Sequence, residues 1–368
     1  MAHHHTTPSL NELVAGVANR LKTAGTGFYL MVFIAAALVL ASAGTGLVAM
    51  FKGHEAYYNV YREVPWGVLI ATYVFFVVSS TGLCLIAFEI KLPWRMAIWN
   101  VISPNLTSNI WWMGTLYGIY LAFMFAEYVF LLMNKHRPAV ICGFSGSVAG
   151  IAAHSNLGAV FGLLMGRPYW QGPYMPIYFI ASAMMTGCAV ILMFHILGYK
   201  VNKQEMAPDM QRALEVTTKI GILLITVILF FTTWKLIAGA AGQPNGAYPV
   251  VQSEVFGHHA FVFWFFEILL GMAGPLVLFI LSKGRNLKLM LIASLSMVVG
   301  IFVMRFNLVY LGQALPVYYD LGVNEFKEML HYSPSIYEWI ITAGGFGLTA
   351  LLFLIGEKVF DGHKVEDH

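Results

Sequence analysis

Long apolar segments separated by short polar connections constrain this chain more than any other feature of its sequence. A helix needs about 20 mostly apolar residues to cross a bilayer, and each segment reaches that length and ends at glycine, proline or a charged residue. Because the bilayer core offers the backbone no hydrogen-bond partner, each segment is predicted to be a transmembrane α-helix. The nine apparent spans are 27–50, 66–90, 110–133, 139–165, 174–199, 218–240, 259–282, 287–311 and 335–356.

The composition agrees with an integral membrane protein and leaves no room for a soluble catalytic domain. Only 11% of the 368 residues are charged and the mean hydropathy is +0.72, whereas soluble domains carry roughly a quarter charged residues. We therefore predict an all-α, polytopic transmembrane helical bundle over 27–356. An amphipathic surface helix within 1–26 precedes it, beginning at a capping box formed by Ser9 and Glu12, and a cytoplasmic tail at 357–368 follows.

The charge and cysteine content exclude several partners. A formal net charge of +3 is too small to favour a nucleic acid or another polyanion. Cys84, Cys142 and Cys188 lie in or beside apolar segments and lack CxxC spacing, which disfavours an iron–sulfur cluster. A bis-histidine haem needs histidines at matching depth, and His154 and His195 lie at different depths. We therefore expect neither haem nor an iron–sulfur cluster in this chain.

The distribution of lysine and arginine predicts the orientation of the bundle. Basic residues gather in the 199–219 and 283–288 connections and in the C-terminal tail. These regions alternate along the chain and so share one side, which is the cytoplasmic side by the positive-inside rule. The connections at 166–173, 241–258 and 312–334 then lie outside. The side of the N-terminus stays open, because equal numbers of basic residues flank the first span.

Ionisable side chains inside the spans are candidates for function, because a charge in the bilayer is costly. At about 1.5 Å of rise per residue, His154, Glu267 and Arg305 lie between the membrane centre and its outer surface. Glu127 and His195 lie towards the cytoplasm. The outer group mixes an acid and a base that can neutralise each other with a histidine that titrates near neutral pH. It suits a carrier whose reduction takes up protons. Further polar candidates near the span ends are Glu89, Arg95, Arg167 and Asn307.

These ionisable residues also have purely structural interpretations. Arg305 and Glu267 could pair only to hold helices together. His154 could be a packed histidine whose hydrogen bonds are satisfied. Both interpretations remain open from the sequence.

The stretch 154–170 has the same ambiguity. Gly158 and Gly162 are four residues apart, a spacing that favours close helix packing over a ligand surface. Arg167 and Trp170, at the end of the span, could be ordinary interfacial anchors or part of a binding site.

Four stretches together resemble the NrfD/PsrC-like family, and they occur in the family's order over about 27–356. The stretches are WRMAIWNVISPNLTSNIWWMG at 94–114, HSNLGAVFGLLMGRPYW at 154–170 with PIYFIASA at 176–183, WFFEILLG at 264–271, and RFNLVYLGQ at 305–313. Each is a weak motif alone, but the ordered set resembles the longer, ten-helix branch of this family.

The resemblance implies a quinone-interacting membrane subunit of a respiratory oxidoreductase, in a prokaryotic cytoplasmic membrane. Such a subunit has no redox cofactor of its own and takes menaquinone or ubiquinone as substrate near the outer surface. It exchanges electrons with a ferredoxin-like iron–sulfur subunit docked on the outer face, which can connect to a molybdopterin or multihaem cytochrome subunit.

Carried onto matching positions, the resemblance assigns the quinone head group and proton transfer to His154, Glu267 and Arg305. It also places the region from Glu89 to Arg95 at the site. With the depth estimate, we predict three further contacts in Arg167, Trp170 and Asn307. By depth alone, Glu127 and His195 are predicted to form a proton route to the cytoplasm.

One departure from the family bears on the number of spans. The ten-helix branch has a further apolar segment between the second span and the sequence that resembles 88–95. Here 79–86 runs directly into it, so 66–90 cannot be one simple span if both flanking loops lie outside. We predict that the sequence omits residues near 84–88, which would make the bundle ten helices.

Two functions of other classes remain possible alternatives. A secondary transporter would also hold intramembrane charges, but its inverted repeats and paired interrupted helices are not apparent here. A structural anchor for peripheral redox subunits would give no reason to hold His154, Glu267 and Arg305 in lipid.

Overall fold

The computed structural model describes residues 10–76, 98, 100–316 and 329–359, and the described residues are overwhelmingly helical. Their only β feature is an isolated bridge between Tyr61 and Val64, so the predicted all-α fold is confirmed. The helices are α1 Leu10–Lys22, α2 Thr26–Lys52, α3 Val68–Phe76, α4 Asn109–Leu132, α5 His136–Gly162, α6 Tyr174–Asn202, α7 Pro208–Ala240, α8 Tyr248–Val255, α9 Val262–Ser282, α10 Leu287–Ala314 and α11 Ile336–Val359.

Eight of the helices in the described part of the chain are long and apolar enough to cross a membrane, and they match eight of the nine predicted spans. The remaining span, 66–90, is described only over α3. The count of nine or ten spans is therefore not confirmed, and the proposed omission near 84–88 lies outside the described residues, as do Glu89 and Arg95.

The helix boundaries follow local sequence signals. α7 begins at Pro208, ten residues before the predicted span, because proline is compatible with the first turn of a helix. Asn286 caps α10 by accepting hydrogen bonds from the backbone of Lys288 and Leu289. The short helix α8 lies within the predicted connection 241–258.

The first helix and the C-terminal end of the last helix lie at the same end of the described bundle. α2 runs antiparallel to α11, since Ser42 lies against Gly344 and Leu38 lies against Gly347, one turn further on. Arg20 in α1 donates hydrogen bonds to the carbonyls at the end of α11. The N-terminal helix therefore lies at the end of the bundle that carries the 203–207 connection and the basic 283–286 connection. We call this the basic end.

The other end of the bundle, called the opposite end, carries the connections 163–173 and 241–261. Both α3 and α4 begin here: the Val68 amide donates to the Tyr332 hydroxyl, and Asn156 of α5 donates to the Asn109 carbonyl. The two helices on either side of the incompletely described region, α3 and α4, thus both begin at the opposite end.

Glycines set the closest helix contacts. A Cβ at Gly158 would lie 2.6 Å from the Met175 carbonyl oxygen, and one at Gly162 would lie 2.7 Å from the Gly172 carbonyl oxygen. The interpretation of this pair as a close packing surface is confirmed. It brings α5 against the start of α6 and fixes the position of the 163–173 connection between them.

Candidate functional site

Glu267 lies in the interior on a π-helical part of α9. Residues Val262–Ala273 form the π-helix, a rare geometry that often marks functional sites. Its carboxylate is buried and accepts a hydrogen bond of 2.9 Å from Asn307 Nδ2 on α10. One turn later, Gly271 packs so closely on Gly300 that an added Cβ would lie 3.1 Å from the Gly300 Cα. This close approach holds the Glu267 carboxylate among protein groups and away from lipid.

Arg305 faces a different neighbour. Its Nη2 donates a hydrogen bond of 2.6 Å to Ser182 Oγ on α6, and its guanidinium carbon lies 4.6 Å from the centre of the Phe179 ring. Residues on a helix are turned by about 100° each, so Arg305 and Asn307 point in nearly opposite directions. The structure therefore does not bring Arg305 and Glu267 into an ion pair.

His154 and Tyr117 lie beside Arg305. The His154 ring packs edge-on against the Tyr117 ring, with 5.6 Å between ring centres. Both side chains are buried and within electrostatic reach of the Arg305 guanidinium. We call the group of Arg305, His154, Tyr117, Ser182 and Phe179 the arginine pocket.

The arginine pocket contains polar atoms that the described protein does not satisfy. Nε and Nη1 of Arg305, Nε2 of His154 and the hydroxyl of Tyr117 are buried and have no hydrogen-bond partner among the described residues. His154 Nδ1 lies 2.7 Å from the Gly150 carbonyl. A carbonyl only accepts, so Nδ1 carries the proton and Nε2 of the neutral ring is an open acceptor. Buried polar groups are normally hydrogen-bonded, and this set comes from three helices.

Trp170 and Arg167 connect the opposite end to α10. Trp170 is fully buried, donates from Nε1 to the Leu308 carbonyl at 2.6 Å, and stacks on Trp66 with 5.3 Å between ring centres. It is thus packed in protein and is not an anchor in the lipid headgroups. The Arg167 guanidinium donates to the carbonyls of Gln313, Leu315 and Glu63, and burial lowers its pKa.

The residues of the predicted proton route lie apart from the arginine pocket. Glu127 of α4 is half-buried and packs on α5, where a Cβ at Gly143 would lie 2.6 Å from its Oε1. His195 is half-buried on α6, between three and four turns from Ser182 towards the basic end. Whether these two residues carry protons stays a prediction.

A second buried ionic group was not found from the sequence. Lys235 of α7 lies 3.6 Å from Oε1 of Glu254 in α8, and both contact the hydroxyl of Tyr169, to which Lys235 donates and which donates to Glu254 at 2.9 Å. Glu267 is within electrostatic reach of Lys235 and Glu254. We call these four residues the lysine cluster. Burial and the neighbouring carboxylates raise the pKa of Tyr169 well above its usual range.

The lysine cluster borders a cavity of about 490 Å³ at the opposite end, lined by Lys235, Tyr169 and aromatic side chains of α7. Lys235 could have been found in the sequence, since it is a charge inside the predicted span 218–240. Glu254 could not, because it falls in a connection where a carboxylate is ordinary. No sequence signal distinguishes Tyr117 from the other tyrosines.

Histidines at the opposite end form a separate group. His258 lies near His259 and His331, with 5.2 and 5.9 Å between ring centres, and the Ser253 hydroxyl is 2.9 Å from His259 Nδ1. Among the residues that the structure describes, no group of three or more histidine, cysteine or acidic side chains is arranged to hold a metal ion.

Comparison with known proteins gives a consistent set of relatives. The sequence profile described as Polysulphide reductase, NrfD matches residues 82–317. A selenate reductase subunit of Mesobacillus selenatarsenatis is 30% identical over 226 residues, covering 60% of this chain and 51% of that protein. The Hdr-like menaquinol oxidoreductase integral membrane subunit of Archaeoglobus fulgidus is 24% identical, covering 90% of this chain and 93% of that protein. The chain thus spans about half the length of the first relative and nearly all of the second.

Proposed function

This chain belongs to the polysulphide reductase NrfD family, and on that premise we propose that it is the quinone-reactive membrane subunit of a respiratory oxidoreductase complex. The proposal has two parts: the chain binds a quinone or quinol, and it exchanges electrons with a docked iron–sulfur subunit. The archaeal relative, named as a menaquinol oxidoreductase subunit and matched over 93% of its length, favours menaquinol as the substrate.

The observation that carries the proposal is the arginine pocket. Its unpaired donors, on Arg305 and Tyr117, and its unpaired acceptor, His154 Nε2, are buried within one cluster of the described residues. Leaving such groups unsatisfied costs about 1–3 kcal/mol each, and more for a charged group. A ligand that satisfies all of them recovers that cost.

A quinone matches these groups in both redox states. The carbonyl oxygen of the oxidised ring accepts hydrogen bonds from the Arg305 guanidinium and the Tyr117 hydroxyl. The hydroxyl of the reduced ring donates to His154 Nε2, which can take up the proton as the quinol is oxidised. Oxidation of one quinol releases two electrons, which the partner subunit accepts, and two protons, one to His154 Nε2 and the other, from the second ring hydroxyl, to water.

In this proposal, four residues that were predicted to contact the quinone support the pocket from outside it: Glu267, Asn307, Arg167 and Trp170. Their described hydrogen bonds go to protein groups, so they hold α9, α10 and the 163–173 connection around the pocket. Glu127 and His195 remain the proposed proton route towards the basic end. We propose that the iron–sulfur partner docks at the opposite end, which the positive-inside rule predicts to lie outside.

The test is a binding titration of the purified complex with 2,3-dimethyl-1,4-naphthoquinone, a menaquinone head group without a side chain. We expect Arg305→Met to raise the dissociation constant of this quinone by about 30-fold, the equivalent of one charge-assisted hydrogen bond. His154 Nε2 accepts only from the hydroxyl of the reduced ring, so His154→Leu should weaken binding of the reduced naphthoquinol by about fivefold, the equivalent of one neutral hydrogen bond, and leave binding of the quinone unchanged. Arg285→Met, at the exposed basic end, is the matched control and should bind normally.

Unchanged binding in Arg305→Met would remove the arginine pocket from the site. Absence of any saturable binding to the natural chain would leave a purely structural anchor as the function.

A further inference from the structure

An apolar cavity of about 200 Å³ lies on the basic-end side of the arginine pocket. Four helices form its wall, and the lining includes Phe75 of α3, Gly187 and Val190 of α6, Val298 of α10 and Phe346 of α11. Among the described residues, neither a charged side chain nor a side-chain amide lines it. The one hydroxyl-bearing position of α6 in its described wall is Thr186, whose hydroxyl donates to the Ser182 carbonyl at 2.8 Å.

The cavity and the arginine pocket share two helices. On α6, Ser182 binds Arg305 and Thr186, one turn later, lines the cavity. On α10, Val298 precedes Arg305 by seven residues, which is close to two full turns and about 10 Å along the axis. The two residues therefore lie on the same face of α10. The cavity therefore lies deeper in the membrane than the pocket, on the same side of α10.

We propose that this cavity holds the first isoprenoid units of the side chain of the quinone whose head group lies in the arginine pocket. The proposal rests on the proposed function and defines its substrate as a long-chain isoprenoid quinone. The size is sufficient, because an apolar protein cavity of about 150 Å³ stays dry and binds benzene. The order of the two sites also matches the molecule, with a polar head followed by an apolar chain.

The cavity contributes by aligning the isoprenoid chain of the quinone. Lipid chains are as apolar as an isoprenoid chain, so moving the chain out of the bilayer supplies no hydrophobic driving force. The rigid aromatic wall, in which Phe75 and Phe346 lie 5.7 Å apart between ring centres, instead packs against the chain and fixes its direction. A chain held in this direction orients the head group towards Arg305.

The test fills the cavity and compares two quinones. Gly187 lines the cavity, and a Cβ there would meet no atom of the described protein within 4 Å, so Gly187→Leu can extend into the cavity with no clash at its Cβ. The two probes are 2,3-dimethyl-1,4-naphthoquinone and 2-methyl-3-geranyl-1,4-naphthoquinone, titrated into the purified complex. We expect Gly187→Leu to weaken binding of the geranyl compound by about tenfold and to change binding of the dimethyl compound by less than about twofold.

The matched control is Gly118→Leu on α4. Gly118 is exposed and its Cβ would also meet no described atom within 4 Å, so this variant tests a leucine in a helix without filling the cavity, and both quinones should bind normally. Val190→Phe fills the cavity from the next turn of α6 and should reproduce the selective loss. Retained binding of the dimethyl compound shows in each variant that the complex is folded.

The outcomes separate this proposal from the proposed function. Unchanged geranyl binding in both cavity variants, or equal losses for the two quinones, would overturn the assignment of the cavity to the side chain. In that case dimethyl binding that is lost in Arg305→Met still supports the head-group site. Absence of dimethyl binding in the natural chain would overturn both.

Discussion

The arginine pocket and the lysine cluster are two buried ionic regions that differ in how their charges are matched. In the lysine cluster, Lys235 lies 3.6 Å from Glu254 Oε1, both bind the Tyr169 hydroxyl, and Glu267 accepts from Asn307. One atom of the cluster, Glu254 Oε2, is buried without a partner among the described residues. In the arginine pocket, Arg305 has one described hydrogen bond, to Ser182, and its Nε and Nη1 are buried without a partner among the described residues.

This difference distinguishes a buried charge that stabilises the fold from one that we expect to bind a ligand. A charge in an apolar interior is tolerated when a partner and hydrogen bonds offset its lost hydration. The lysine cluster supplies that offset largely from its own side chains. The arginine pocket does not, so its stability in the membrane should depend on what it binds. The two regions therefore predict opposite consequences for removing one charge.

The largest effect on stability is expected from breaking the lysine cluster. Glu254→Leu should lower the free energy of unfolding by about 3–5 kcal/mol, because the buried Lys235 loses the carboxylate that it pairs with directly and keeps only the more distant Glu267. The double variant Lys235→Met with Glu254→Leu should recover most of the loss. Chemical denaturation of the complex in detergent measures both. A single variant that costs less than about 1 kcal/mol would contradict the interpretation of this cluster as a matched ionic group.

Removing Arg305 should affect turnover much more than stability. Arg305→Met removes a charge that the described protein matches poorly, so the free energy of unfolding of the quinone-free complex should change by less than about 1 kcal/mol. Quinone-dependent turnover should fall by about 10²–10³-fold, as for loss of one preorganised donor to a developing charge. Equal losses of stability and turnover would show that Arg305 acts chiefly in packing.

A smaller effect is expected from acid. His259 follows the lysine cluster at the opposite end, and burial together with His258 and His331 lowers its pKa from 6.5 to about 4. A histidine that resists protonation only in the folded state contributes no penalty above pH 6.5 and destabilises the fold as the pH falls from 6.5 towards 4. Because His259 is partly exposed, we expect a loss of about 1–2 kcal/mol over this range.

The control for this titration is His259→Asn, which removes the titrating group and should flatten the change in unfolding free energy between pH 6.5 and 4. An unchanged slope in the variant would assign the acid sensitivity to other groups.

The smallest effect on stability is expected at Glu127. This side chain is half-buried against Gly143, so Glu127→Gln should change the free energy of unfolding by less than about 0.5 kcal/mol. If the proposed proton route is used, the same variant slows proton uptake from the basic end of complexes reconstituted in vesicles. Uptake from the opposite end alone, at the same rate in the natural chain and the variant, would refute the route.

Much of the fold could be predicted because membrane insertion depends on local sequence. The apolar length of each span and the charge of each connection are properties of contiguous residues. They located eight described membrane helices, including α9 and α10, and indicated which connections share an end. They could not decide the side of the N-terminus, which depends on Arg20 meeting the end of α11, 338 residues away.

The candidate site could be predicted only in part. The cost of charge in lipid singled out His154, Glu267 and Arg305 from the sequence, and all three are buried. Depth alone, however, grouped Arg305 with Glu267, because it measures position along a helix and not direction around it. The rotation of about 200° between Arg305 and Asn307 sends these two side chains to different neighbours. Tyr117 enters the pocket from α4, on which depth marked only Glu127, nearer the cytoplasm.

The sequence by itself thus determined the class of protein, its membrane helices, its family resemblance and the charges that need an explanation. Only the tertiary structure decided which of those charges are matched. Pairing of Lys235 with Glu254 and the incomplete matching of Arg305 by the described residues both depend on how helices distant in the chain are rotated against each other. That rotation is set by close contacts such as Gly271 on Gly300, which become visible only when the helices are packed.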